Sequence, residues 1–177
     1  MRFEIPFNEK ISIEQSKLFF TYLYKKFIKD NFKIFFYGVF IVLIGVFMVY
    51  WGNNSGLLLV GFGSMYFVIV FNRIATYLKT KKTYFLSREN YFQKIKNLTN
   101  PINVWQFDED HLFFSDLDFE IKLNWNTFKS YKKIDEKNLL LEINNPLILF
   151  LILSKEEVDD KNFDKIIHFL EGKIKNK

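Results

Sequence analysis

The 177-residue chain has no cysteine and only two histidines. Without cysteine it can form no disulfide framework, thiolate metal site or cysteine nucleophile. His111 and His168 stand far apart with no partner at ligand spacing, so they read as surface residues rather than as metal ligands or acid–base groups. Glycine-rich phosphate loops, nucleophile elbows and His-Glu-x-x-His zinc motifs are all missing. The carboxylate pairs Asp108/Asp110 and Asp116/Asp118 lack the glycine and terminal glutamate of a calcium loop and read as turn residues. The expectation from these absences is a protein that is not an enzyme and carries no cofactor or metal.

Charge is also missing from one long region. Residues 34–52, IFFYGVFIVLIGVFMVYWG, are nineteen uncharged positions, enough to span about 30 Å of hydrocarbon as a helix. Residues 56–71, GLLLVGFGSMYFVIVF, add a second apolar run that extends through Tyr77 if Arg73 snorkels to the headgroups. Thirty-three residues precede the first run, which is also too long for the core of a signal peptide. The connection Asn53-Asn54-Ser55 is neutral, whereas residues 1–33 carry seven Lys/Arg against four acids and residues 73–96 seven against one. By the positive-inside rule this is a multi-pass hairpin with both termini in the cytoplasm and its tip outside, Tyr50 and Trp51 lying at the outer interface. The last third, eleven Lys/Arg against fifteen acids, offers no footprint for nucleic acid.

Gly38, Gly45 and Gly52 recur every seven residues on the first span, and Gly56 and Gly63 do so on the second. Small residues let helices approach closely in lipid, so these five are the expected helix-packing positions, facing each other within one hairpin or, alternatively, meeting a homo-oligomer or a membrane partner.

Flanking helices are expected on both sides of the hairpin. Ser12-Ile-Glu-Gln15 has the form of a capping box ahead of an amphipathic helix over 13–29, with Ile13, Phe20, Leu23, Tyr24 and Phe27 on one side and Lys17, Lys25, Lys26 and Lys29 nearby. After the second span an aromatic pair recurs every seven residues, Tyr77-Leu78, Tyr84-Phe85 and Tyr91-Phe92, among Lys79, Lys82 and Arg88. Such a basic aromatic stalk is either a surface for nucleic acid, lipid or a protein partner, or, more often, the packed side of a helix. Pro101 marks the boundary of the next domain.

From Ile102 the apolar period becomes two. FEIKLNW alternates Phe119, Ile121, Leu123 and Trp125 with Glu120, Lys122 and Asn124. Further strands are expected over 102–107, 111–115, 127–134, 139–143 and 147–153, separated by DED, DEK and NNP turns. LILFLIL, at 147–153, is too short to cross a bilayer and reads as a strand buried on both faces. Ser154-Lys-Glu-Glu157 forms a second capping box, and Phe163, Ile166, Ile167 and Leu170 share the apolar face of one closing helix that joins Trp125 in the domain core. The fold class is therefore a membrane helical hairpin plus a cytoplasmic α+β domain, a small curved antiparallel sheet closed by a C-terminal helix.

The order of parts, with the tryptophan of LNWNTFKSYKKI and the closing SKEEV…FDKIIHFL helix, resembles the YcxB-like family. The resemblance implies a protein of the bacterial inner membrane, with a short N-terminal strand and helix over 1–33, the hairpin over 34–78, the stalk over 79–100 and a pleckstrin-homology-like domain over 101–177. It transfers no catalytic residue. An acidic DED loop at 108–110, where a phosphoinositide-binding domain needs a basic one, argues against headgroup recognition by that route. Lys129, Lys132 and Lys133 read as a solvated sheet edge. The expected function is a non-enzymatic, membrane-anchored protein-interaction module, working through a protein partner or as a homo-oligomer. The alternatives are an immunity protein against a membrane-acting toxin and an accessory subunit of a transport or secretion complex.

Overall fold

The charge-poor region forms part of two uninterrupted helices. In the computed structural model, which describes residues 1–144 and 150–174, α1 runs over Glu9–Tyr50 and α2 over Gly56–Lys96. At 1.5 Å per residue each is roughly 60 Å long, twice what a bilayer's hydrocarbon requires. Both are long and apolar enough to cross a membrane.

The chain divides into two units, a hairpin unit of Phe20–Asn90 and a β-unit of Met1–Phe19 with the chain from Tyr91 onward. This partition differs from the expected one. Neither 1–33 nor 79–100 stands as a domain of its own, because each long helix contributes its outer end to the β-unit and the rest to the hairpin.

The expected capping box at Ser12 does not start α1. Asn8 Oδ1 accepts the backbone N–H groups of Lys10 (3.1 Å) and Ile11 (3.3 Å), so the helix begins one turn earlier. Asparagine caps as well as serine does, and Ser12 becomes an interior residue whose carbonyl accepts the Ser16 hydroxyl at 2.7 Å. At the hairpin tip Gly52 adopts φ +82°, the left-handed conformation that ends a helix. The Asn53 N–H reaches the Met48 carbonyl and the Gly52 N–H reaches that of Val49, both at 2.9 Å. This double bond pattern closes α1 as a Schellman motif.

In the β-unit the N-terminal β1 (Arg2–Pro6) is followed by β2 (Ile102–Phe107), β3 (His111–Ser115) and β4 (Glu120–Asn124). These pair antiparallel in the order β1-β2-β3-β4. The register sets Phe3 opposite Trp105, Trp105 opposite Phe114 and Phe114 opposite Ile121, so one face of the sheet is apolar across all four strands. A second sheet contains β5 (Phe128–Ile134), β6 (Asn138–Ile143) and β7 (Phe150–Ser154) in that order.

The strands thus form two sheets rather than the single expected one. The break falls at Trp125–Thr127, a turn of 3₁₀ helix that replaces the end of the expected 119–125 strand. Of the expected 147–153 strand, 147–149 lie outside the described residues. The closing helix is also divided, into α3 (Lys155–Val158) and α4 (Asp160–Lys173). Asp159, at φ 66°, interrupts it and caps α4 by accepting the Asn162 N–H at 2.8 Å.

Trp105, Phe107, Leu112 and Phe114 of the first sheet meet Leu139, Leu141 and Leu153 of the second, and Phe163, Ile166 and Leu170 of α4 close the core with no exposure at all. Trp125 lies in the same cluster, its indole N–H donating to the Asp108 carbonyl at 2.9 Å, and Ile167 packs half-buried against it. Leu140 is equally buried but faces away from this cluster. The first turns of α1 serve that other side of the second sheet. Phe19 meets Phe150 edge-on at 5.8 Å, and the Gln15 side-chain amide donates to the Ile152 carbonyl at 3.3 Å. Covering on both faces explains why β6 and β7 read as continuous apolar runs.

Candidate interaction surfaces

Within the hairpin, four of the five expected packing glycines come together. A Cβ on Gly45 would lie 2.7 Å from the Gly56 carbonyl oxygen and 2.8 Å from the Val60 amide nitrogen. One on Gly38 would lie 2.9 Å from the Tyr66 Cβ and 3.2 Å from the Gly63 carbonyl oxygen. Gly56 and Gly63 are closed off in the same way by Gly45, Met48 and Val42. Any side chain at these sites would push backbone away from backbone, so glycine sets how closely the helices approach. Gly52 is the exception, since nothing among the described residues lies within 4 Å of the space its Cβ would occupy and its role is the turn.

Toward the ends of the same hairpin, aromatic rings take over from glycine. Phe20 stacks on Tyr24 at 4.4 Å and meets Tyr77, Tyr84 and Phe85 at 5.7, 5.3 and 5.6 Å. Tyr77 also contacts Tyr24 and Phe27. Three residues expected on a partner-binding stalk are therefore half-buried against α1. In the β-unit, the Tyr91 hydroxyl donates to Asp116 at 3.3 Å, while Phe92 is buried and meets the Phe7 ring at 5.8 Å. Those two anchor the end of α2 to the β-unit, and Lys96 adds an ion pair with Glu9 at 2.9 Å. The seven-residue aromatic period is the signature of internal packing, because one face recurring every second turn meets whatever runs alongside. Of the expected surface, Lys79 and Lys82 remain exposed and Arg88 is half-buried.

Many ionisable groups of the β-unit are occupied in local structure. Asp116 accepts the backbone N–H groups of Asp118 and Phe119, at 2.8 and 3.0 Å, forming the β3–β4 turn. Asp108 pairs with His111 at 3.1 Å, and exposed His168 with Glu171 at 3.2 Å. Among the described residues no group of three or more His, Asp or Glu side chains converges on a metal-sized space. The lysines at the β5 edge are partly neutralised: Glu142 takes Lys129 at 2.9 Å, Lys132 at 3.6 Å and the Ser130 hydroxyl at 2.9 Å. The Lys129 hydrogen bond, with smaller help from Ser130 and the charge of Lys132, holds the Glu142 carboxyl below its ordinary range.

One carboxyl is perturbed in the opposite direction. Glu157 completes the α3 capping box by accepting the Ser154 N–H at 2.7 Å, and also accepts the Gln15 side-chain amide at 2.6 Å. Burial pushes its pKa up to about 7, against the two hydrogen bonds. The capping motif was readable in SKEE. Its tie to Gln15, 142 positions away, was not, because nothing local in either segment announces the other.

Comparison with family models, with curated proteins and with solved structures returns no match.

Proposed function

We propose that this protein is a non-enzymatic interaction module of the YcxB-like kind, held in the bacterial inner membrane by the α1/α2 hairpin with both termini in the cytoplasm. The observation that carries the membrane reading is the inverted packing of the hairpin. Glycines lie inside, while Phe36, Phe40, Phe62 and Met65 are each 60% or more exposed. In water that surface is a large aggregation liability, whereas in hydrocarbon it costs nothing. The β-unit is read as a pleckstrin-homology-like scaffold, two small sheets closed by α4. Its acids and histidines serve turns, caps and ion pairs, which favours binding over chemistry.

The β4 edge is the strand edge best suited to a peptide partner. Pro6 ends β1, a register shift between Phe128 and Ser130 kinks β5, and Gln15 caps the Ile152 carbonyl of β7. Affinity purification of the full chain from native membranes in mild detergent tests the proposal. A stoichiometric protein that dissociates when Lys122, exposed and with its backbone turned away from β3, is replaced by proline, with the protein still folded, supports it. A homogeneous particle of a single copy with no partner contradicts it, and protection of cells from a membrane-acting toxin by the chain alone would favour the immunity reading.

A further inference from the structure

The ring contacts of the hairpin fix a register between its helices, and that register gathers a band of cations. Phe27 and Tyr24 lie against Tyr77, and Phe20 lies against Tyr84. Lys25 and Lys26 of α1 therefore stand at the level of Lys79 of α2, with Lys29 about a turn nearer the apolar run and Lys81 and Lys82 up to about a turn further from it. All six are exposed, and among the described residues none of them forms an ion pair. Lys33 and Arg73 continue the band to the first residues of the uncharged stretches. The acids of these same segments, Asp30 and Glu89, are far outnumbered.

Position and composition together identify the partner. Counted along the helix, Lys29 lies about 7.5 Å and Lys25 about 13.5 Å beyond the apolar run that starts at Ile34. A headgroup layer extends roughly 5–8 Å past the hydrocarbon, and a flexible lysine stem with a Debye length of about 8 Å reaches back over the remainder. Exposed apolar side chains interleave with the cations: Ile28 at 41%, Phe32 at 62% and Leu78 at 57%. A nucleic acid or an acidic protein would satisfy the charges and leave these three in water. Only the layer where phosphate gives way to acyl chain matches both.

We infer that the band at Lys25, Lys26, Lys29, Lys79, Lys81 and Lys82 is a binding surface for anionic phospholipid headgroups in the leaflet through which the hairpin enters. The inference rests on the membrane reading above and gives the hairpin a lipid preference rather than passive residence. Each such cation near an anionic surface is attracted by an amount that weakens with salt.

The test is lipid selectivity of the full chain in phosphatidylcholine vesicles carrying spin-labelled phosphatidylglycerol or spin-labelled phosphatidylcholine, read as the motionally restricted fraction. The expected result is about threefold or greater preference for phosphatidylglycerol, reduced by about 0.5 M salt. It should fall to parity in the Lys25→Gln/Lys26→Gln/Lys79→Gln/Lys82→Gln variant and persist in a Lys161→Gln/Lys165→Gln control on α4. Equal association of both lipids with the wild-type chain overturns the inference, as does a preference that survives in the fourfold variant. Failure of the membrane reading itself looks different, since the chain then restricts neither lipid and does not float with the vesicles.

Discussion

The two units of this chain solve the burial problem in opposite directions. In the β-unit Phe163, Leu112 and Leu139 are wholly hidden and lysines and acids form the outside. In the hairpin Gly38, Gly45, Gly56 and Gly63 are hidden, and Phe40 and Leu58 are 64% and 67% exposed. A water-solvated fold gains by taking large apolar surface out of solvent. In lipid that term vanishes between helices, and close backbone approach becomes the source of stability. On the proposed membrane reading the inversion follows the solvent that each part of the chain meets, and α1 and α2 each run from one unit into the other without a break.

The sharpest way to break the comparison is to apply one substitution to both units. Phe163→Ala should cost the β-unit about 3–5 kcal/mol, whereas Phe40→Ala should change hairpin stability by no more than about 0.5 kcal/mol. Thermal unfolding of the full chain in nanodiscs, followed by near-ultraviolet circular dichroism for the β-unit and by hydrogen exchange for the hairpin, reads both. Next in size is the pH response of the β-unit. The Glu157 pKa rises from an ordinary 4.5 to about 7 on folding, so the folded state holds a proton that the unfolded chain has released. Its stabilising effect is complete below about pH 4.5 and is lost as pH rises to about 7, a change of up to roughly 3 kcal/mol. Glu157→Gln should flatten that slope in melts between pH 4.5 and 8.

Glycine substitutions carry smaller effects. Gly45→Val drives a side chain into the Gly56 carbonyl and should destabilise the hairpin by about 1–3 kcal/mol, seen as faster exchange across 34–71. Gly52→Ala meets no atoms and loses only its left-handed turn conformation, about 1 kcal/mol. Equal costs for the two would erase the distinction between packing and turn glycines.

Features with a local cause could be read from the sequence. The two apolar runs, the strands at β2 and β3, and the Ser154–Glu157 capping box depend on residues within a turn or a strand of one another. Features that needed a distant partner could not. β1 was expected as part of a separate N-terminal segment, yet its five residues complete the first sheet only because β2 returns about a hundred positions later. Tyr91 and Phe92 share the periodicity of Tyr77 and Tyr84, so nothing in the pattern distinguished rings that pack in the hairpin from rings that anchor in the β-unit. The lysines that remain exposed were set apart only by the removal of those rings from the surface.

The chain's lack of cysteine makes the central claim, that the hairpin crosses a membrane and returns, directly measurable. Asn54→Cys at the tip and Lys161→Cys on α4 would be labelled separately with a membrane-impermeant maleimide in intact cells whose inner membrane alone limits access. The account predicts labelling of Asn54→Cys in intact cells and of Lys161→Cys only after permeabilisation. Equal labelling of the two positions before permeabilisation, or protection of both until it, would contradict it.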